Sequence, residues 1–316
     1  WNSSKYYGLA MPQLYAEVGR GDVSAKFGHF YTPMGYEVVP AVGNFFYTIN
    51  DTFQYGEPFT HTGMLAQWKQ TDQTSWFGGI VNGWDNWSSG TSLAGNTWYN
   101  YYNNNANFLG GVTTKNADET QSLSMFAISG NMMNPVFSGP LAGQAVNANR
   151  SYMSTVYVNE LTDKLTYVFQ NDNGWQFGLQ DGMYTPVASQ ANNGLAQWYG
   201  LVNYLFYKFD EKLIGGVRFE YWRDNNGFRM VNQGRNINYS PLQAGNVGFG
   251  GFQGNFWETT FGVNYLPNKN WRIRPELRYD WYSPDHQGGP LPYGGRGFGG
   301  DKYGQLYGGC DAIFQF

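Results

Sequence analysis

Residues 270–282 sort their side chains with a period of two. Alternate positions are apolar: Trp271, Ile273, Pro275, Leu277, Tyr279 and Trp281. The positions between them are charged: Arg272, Arg274, Glu276, Arg278 and Asp280. Because successive side chains of a β-strand point to opposite faces, the segment predicts a strand with one apolar and one charged face. Trp at both ends of the apolar stripe suits the two interfaces of a lipid bilayer.

Twelve other segments are also strand-like, some with less distinct faces, and no segment shows a convincing helical period. These segments are Met11–Arg20, Asp22–Tyr31, 59–70, 75–84, 107–115, 119–130, 150–160, 164–180, 195–208, Lys212–Arg223, Asn255–Leu266 and 303–316. Within 164–180, the run Asn171-Asp172-Asn173-Gly174 could instead be a turn. The pattern predicts an all-β protein of about 13 visible strands.

Composition excludes several classes of protein. The 316 residues include 12 Trp, 25 Tyr and 23 Phe but only 19 basic and 23 acidic residues, which rules out disorder. Cys310 alone cannot form a disulfide scaffold. No apolar run reaches about 18–20 residues and mean hydropathy is −0.50, against a helical membrane protein. A net charge of −4 without a basic run makes nucleic acid an improbable partner.

The connections between the predicted strands alternate between short polar turns and long Gly/Asn-rich stretches. The long stretches are 34–58, 86–105, 131–149, 181–194, 225–254 and 283–302. Such alternation is typical of a transmembrane antiparallel β-barrel, whose long loops lie on one side of the membrane. Phe316 ends an alternating strand, as in bacterial outer-membrane barrels. With no linker or shift in composition, residues 1–316 are predicted to form a single outer-membrane β-barrel domain.

Parity adds an expectation about the number of strands. Consecutive strands of an antiparallel barrel run in opposite directions. With 13 strands counted back from Phe316, the first visible strand, Met11–Arg20, runs in the same direction as the last. A closed bacterial single-chain barrel has an even number of strands. We therefore expect about 14–16 strands in the complete protein, with one or more N-terminal strands preceding Trp1. The alternative is that one strand is merged or split in this count.

Three runs resemble the OmpL-like outer-membrane β-barrel porins common in planctomycetes. They are Lys26–Glu37, with the continuation Asn44–Tyr47; Tyr55–Gly63; and Gly216–Asp224. The likeness spans most of the chain, although these runs are not catalytic signatures. It implies a channel in a bacterial outer membrane, in contact with outer-membrane lipid, that admits small hydrophilic solutes and ions by passive diffusion. Many porins form homotrimers, but no feature of this sequence fixes the oligomer.

A water-filled lumen needs charged side chains on its wall, where rings of charge set ion preference. The predicted pore-lining residues are Glu17, Lys26, Arg218, Glu220, Glu258, Arg272, Arg274, Glu276, Arg278 and Asp280. Arg272, Arg274 and Arg278 form a ladder along one strand face, which either polarises the pore or belongs to a structural salt-bridge network. Residues 34–58 are a candidate constriction loop whose acidic residues would face this ladder: Glu37, Asp51 and Glu57.

Two alternatives to a diffusion channel stay open: an anchoring barrel with a plugged lumen, and a secreted carbohydrate-binding all-β protein. Some loop aromatics could stack on sugars, but more often such residues form the outer interface belt: Trp84, Trp87, Trp98, Tyr99, Tyr101 and Tyr102. Three isolated His residues and no nucleophile, metal or phosphate motif argue against an enzyme. We predict no catalytic residue, no metal and no cofactor.

Overall fold

The computed structural model describes residues 11–85, 92–94, 97–99, 106–135, 145–177, 195–230, 252–285, 291–293 and 301–316. Its main element is one sheet of 13 antiparallel strands, in which each strand pairs with its neighbours along the chain. A separate two-stranded hairpin, β5–β6, lies between β4 and β7. Within the described residues, no helix is long and apolar enough to cross a membrane.

The strands follow the chain in order. They are β1 (Leu14–Arg20), β2 (Val23–Tyr31), β3 (Thr60–Lys69), β4 (Thr74–Val81), β5 (Ser92–Ala94), β6 (Thr97–Tyr99), β7 (Asn107–Lys115), β8 (Gln121–Pro135), β9 (Ala145–Thr162), β10 (Leu165–Gln176), β11 (Ala196–Lys208), β12 (Leu213–Asp224), β13 (Gly254–Asn268), β14 (Trp271–Pro284) and β15 (Gly304–Phe314).

Each of the 13 predicted segments overlaps one strand of the main sheet, so the all-β prediction is confirmed. The possible turn at 171–174 is not formed, because β10 pairs continuously with β9 and β11 through these residues. The stretch 131–149 is less of a loop than its composition indicates. The β8–β9 ladder continues through it from Asn131↔Asn149 to Pro135↔Ala145. A β-ladder can form without alternating apolar side chains, so the sequence pattern did not predict this extension.

The two faces of β14 divide as the alternation predicts. Leu277 and Tyr279 on the outer face are 50% and 51% exposed. Arg274 and Asp280 on the inner face are buried. The register extends this division across the sheet, since Arg278 stands beside Thr260 of β13 and Tyr307 of β15. Strands β1 and β15 are the edges of the sheet, and within the described residues each pairs with a single neighbour.

Residues 32–59, which connect β2 to β3, fold against the inner face of the sheet; we call them the inner loop. They contain a 3-10 turn at Ala41–Gly43 and a π-helical turn at Thr52–Gly56. The Gly35 amide reaches the Ser154 hydroxyl of β9, while Ala41 accepts a hydrogen bond from Arg274 of β14. Because one loop contacts strands this far apart, the sheet must curve around it.

Several aromatic residues lie inside this curve and not on the outer face. Phe45 and Phe46 of the inner loop pack with Tyr204 and Phe206 of β11. Gly216 makes room for this packing, because a Cβ there would overlap the Phe45 ring, 2.4 Å from its Cε1 in ideal geometry. The alternation predicts which face a strand residue occupies, but it cannot show that a loop supplies an apolar partner on the polar side.

Because the outer face is apolar and exposed, a charged residue introduced there should strongly reduce the stability of the folded protein. We expect Leu277→Arg to destabilise the protein folded in lipid vesicles by about 2–4 kcal/mol, the cost of a basic residue on the lipid face near the bilayer midplane. Gln305→Arg on the inner face is the matched control, with an expected change within about 0.5 kcal/mol. Urea titration of folding into vesicles measures both. Equal losses would show that the two faces are wrongly assigned.

Candidate functional site

Arg218 of β12 lies at the centre of the contact between the inner loop and the sheet. It is fully buried, and its Nη1 lies 2.5 Å from Glu37 Oε1 of the loop, while its Nε lies 2.8 Å from Glu258 Oε2 of β13. Nη1 also donates to the Thr48 carbonyl at 2.8 Å. Charge-assisted hydrogen bonds of this kind are strong and directional. One arginine therefore joins two strands of the wall to two points of the loop.

Two carboxylates of the wall hold the loop backbone. Glu220 of β12 accepts hydrogen bonds from the amides of Asp51 at 2.7 Å and Thr52 at 2.6 Å. Glu276 of β14 accepts from the amides of Tyr47 at 2.8 Å and Thr48 at 3.1 Å. Buried amides need partners, and a loop with only two short helical turns offers few of its own. Charged residues on the strands supply them.

The arginines of β14 bind the carbonyl groups of the same loop. Arg274 donates to the carbonyls of Ala41, Asn44 and Phe46 at 3.0, 2.6 and 3.1 Å. Arg278 donates to the Ile49 carbonyl at 2.5 Å, and Arg272 to that of Val42 at 3.2 Å. The predicted ladder is thus present as a row of side chains, but its members hold the loop.

The acidic residues of the inner loop differ from the arrangement first expected, in which they face the arginines across open space. Glu37 pairs directly with Arg218, and Asp51 lies 3.3 Å from Arg278 Nη2. Glu57 lies elsewhere, with its Oε1 accepting from Gln170 of β10 at 2.6 Å. Burial favours direct pairing, because charges separated across a dry space would each lack a partner. Glu37 and Asp51 therefore each form an ion pair with a neighbouring arginine.

The loop carboxyl groups titrate away from their usual range. Burial raises the pKa of Asp51 to about 7, although the Arg278 guanidinium opposes this shift. Burial also raises the pKa of Glu37, against the attraction of Arg218. In both cases removal from water disfavours the ionised form more than the arginine favours it. The charge of the loop near Asp51 therefore changes around neutral pH.

The inner faces of β1 and β2 are more exposed near the turn that joins them than are the inner faces of β12 to β14, although Phe30 farther along β2 is buried. Glu17 of β1 is exposed, and Lys26 of β2, its partner in the register, is only partly buried. The Ser24 hydroxyl donates to Glu17 Oε1 at 3.2 Å, and Lys26 Nζ lies 5.0 Å from the centre of the Tyr15 ring. The predicted lining residues thus form two groups: Glu17 and Lys26 are open to solvent, whereas Arg218, Glu220 and Glu258 lie under the inner loop.

Among the described residues, cavities lie beside the inner loop at two places. One of about 640 Å³ lies near the long loops, between the inner loop and β13 to β15, with Tyr47, Arg278 and Tyr307 among its walls. The other, of about 470 Å³, lies near the short turns, with Lys164 and Arg272 among its walls. The loop therefore leaves space at both ends of the interior.

Some polar groups of the interior were not predicted from sequence. Arg274 forms an ion pair with Asp311 of β15 at 2.5 Å. Asp311 lies opposite Cys310 and Ala312 in the alternation of the last strand, so that pattern could have revealed it. Asp172 and Gln170 were obscured by the possible turn at 171–174; Gln170 Nε2 lies 2.5 Å from Asp172 Oδ2. Only the three-dimensional position of the loop shows that Glu57 joins them.

The remaining candidate residues have structural partners. His61 is buried, with Nδ1 2.9 Å from the Gly83 carbonyl and Nε2 3.1 Å from the Thr32 hydroxyl. Trp84 packs in the interior beneath the Arg150 guanidinium, whose Cζ lies 4.9 Å from the ring. Trp87, Tyr101 and Tyr102 lie outside the described residues, as do the side chains of Trp98 and Tyr99. In the described part of the chain, no group of three His, Cys, Asp or Glu side chains could hold a metal ion.

The apolar outer face, charged inner face and infolded loop define a β-barrel porin of the bacterial outer membrane. The sequence profile of the family described as putative beta-barrel porin-2, OmpL-like, matches residues 2–316. The chain therefore belongs to this family, as its resemblance in sequence implied. A search of curated protein sequences gives no match.

Solved structures show a similar fold at low sequence identity. The outer-membrane channel DcaP of Acinetobacter baumannii aligns with a TM-score of 0.50 and 13% identity, over 92% of this chain and 71% of that one. OprD of Pseudomonas aeruginosa aligns with a TM-score of 0.35 and 14% identity, over 95% of this chain and 80% of that one. Together with the family match, DcaP supports an outer-membrane channel fold.

Proposed function

We propose that this porin passes small hydrophilic solutes along the inner loop, between the loop and the open part of the wall. The observation that carries the proposal is the asymmetric attachment of the loop. The charged wall residues that bind the loop lie on β12 to β14, whereas on the first two strands Glu17 is exposed and Lys26 is only partly buried. A loop fixed to one part of the wall would narrow a channel from that side.

The predicted lining residues would then have two roles. Glu17, Lys26 and the partly buried Arg272 would contact passing ions and influence ion preference. Six others would hold the loop in place: Arg218, Glu220, Glu258, Arg274, Glu276 and Arg278. Glu37 and Asp51 would form the loop side of these contacts, Glu57 would fix the returning end of the loop, and Asp280 would neutralise Arg278 at 2.6 Å.

Liposome swelling tests this proposal against an anchoring barrel with a plugged lumen. We expect vesicles containing the protein to swell in solutions of arabinose, glucose and maltose, at rates that fall as the solute becomes larger. This order follows because a narrow aqueous path hinders larger solutes more. The control is vesicles holding the same amount of heat-unfolded protein. Folded protein that admits none of the three sugars would favour the plugged barrel.

The same proposal covers the surroundings of the channel. The apolar outer face would contact outer-membrane lipid, and the protein would have no catalytic activity. Because many porins form trimers, the proposal extends to a homotrimer of this chain. Chemical crosslinking of the detergent-solubilised protein tests that assembly, with a threefold-mass band expected and a band of one chain contradicting it.

A further inference from the structure

The cavity near the long loops has the volume and the aromatic lining of a small-molecule binding site. Its volume is about 640 Å³, within the range of small-molecule sites. Tyr47 of the inner loop and Tyr307 of β15 are 44% and 38% exposed, although both carry large rings. Both line this cavity, so two aromatic surfaces are available to one occupant.

The polar groups of the cavity lie beside these rings. Asp280 accepts a hydrogen bond from the side chain of Gln305 at 2.7 Å, and Gln305 itself is exposed. Asp51 and Arg278 also line the cavity. Carboxylate oxygens and an amide group supply the acceptors and donors that several neighbouring hydroxyl groups require.

The charges of the cavity indicate a neutral occupant. Among the described residues that line the cavity, Arg278 is the one basic residue. The Arg278 guanidinium already contacts Asp280 at 2.6 Å, Asp51 at 3.3 Å and the Ile49 carbonyl at 2.5 Å. An anionic solute would therefore meet a guanidinium that is already paired, beside two acidic groups that outnumber it. A solute without charge avoids that repulsion and the cost of desolvating an ion.

From these observations we propose that the cavity is a binding site for a neutral pyranose sugar on the solute path, an inference that rests on the proposed channel function. A pyranose offers an apolar ring face to Tyr47 or Tyr307 and hydroxyl groups to the exposed amide of Gln305, which Asp280 holds in place. Weak binding beside a narrow passage raises the local sugar concentration, while still allowing release to either side.

Single-channel recording with added sugar tests the site. We expect maltose and glucose to reduce the ion current in a saturable manner. Tyr307→Ala should raise the half-saturating concentration by about tenfold, equivalent to ~1.4 kcal/mol, because one ring surface is lost. Leu306→Ala, on the outer face of the same strand, is the matched control and should leave the sugar response unchanged. Tyr47→Ala provides a second, independent loss of ring surface.

The outcomes separate the site from the channel. Absence of ion current from folded protein would contradict the channel itself. Normal current with a linear, unsaturable response to sugar, or an unchanged response in both tyrosine variants, would overturn the binding site alone. Glucuronate differs from glucose by one carboxylate group, and we expect it to bind more weakly. Tighter binding of glucuronate would overturn the neutral class of ligand.

Discussion

Replacing Arg218 with alanine should destabilise the protein by about 3–5 kcal/mol, the usual cost of removing one partner from a buried ion pair. The guanidinium lies between Glu37 and Glu258, and both carboxylates are buried. Without Arg218, Glu37 would lose its ion-pair partner, Glu258 would keep only the longer contact with Arg278 Nη1 at 3.9 Å, and the Thr48 carbonyl would lose a donor. Urea unfolding in detergent micelles, followed by Trp fluorescence, measures the change.

An exposed ion pair provides the control for Arg218→Ala. Lys208 and Glu211 are 2.8 Å apart, with side chains 41% and 88% exposed, so Lys208→Ala should cost no more than about 1 kcal/mol. The double variant Arg218→Ala/Glu258→Gln should recover part of the loss, because it removes one of the two carboxylates that Arg218 contacts. If Arg218→Ala costs no more than Lys208→Ala, the arginine does not hold the loop.

Removing the inner loop should widen the channel. Tyr31 and Thr60 are direct partners in the β2–β3 ladder, and the Thr32 amide donates to the Phe59 carbonyl at 2.9 Å. Residues 33–58 can therefore be replaced by an Asn-Gly turn without separating these strands. We expect liposome swelling to extend to larger sugars, such as maltotriose and raffinose, at rates several-fold above those of the unmodified protein.

The wall should tolerate this deletion electrostatically, because each main anchoring arginine keeps a carboxylate on the sheet. These pairs are Arg218–Glu258, Arg274–Asp311 and Arg278–Asp280. A milder variant, Glu220→Ala/Glu276→Ala, keeps the loop but removes the acceptors of four loop amides, and should widen the channel to an intermediate degree. Unchanged solute limits in both folded variants would show that the loop does not narrow the path.

The sequence predicted the sheet well because the alternation of apolar and polar side chains is visible within each strand. Trp271 to Trp281 sufficed to place Leu277 outside and Arg278 inside. The anchoring of the loop was beyond this kind of inference. The contacts between Glu220 and Asp51, or between Arg274 and Phe46, join residues about 170 and 230 positions apart. No local period encodes such pairs.

The candidate site was predicted in kind but not in arrangement. Loop length and acidity correctly drew attention to residues 34–58, and alternation placed Arg218 and Glu258 on the charged face. Sequence could not show that Phe45 and Phe46 enter the interior with the acidic residues. Their burial against Tyr204 and Phe206 brings the loop onto the wall and favours direct ion pairs. An apolar contact thus decides the geometry of a charged one.

Single-channel conductance of the unmodified protein in a planar lipid bilayer tests the water-filled channel most directly. We predict discrete current steps whose size rises in proportion to KCl concentration, because ions would cross through an aqueous path inside the sheet. The protein should show heat-modifiable mobility on gels, which confirms that the sample is folded. Folded, membrane-inserted protein that produces no current steps at any KCl concentration would contradict the channel.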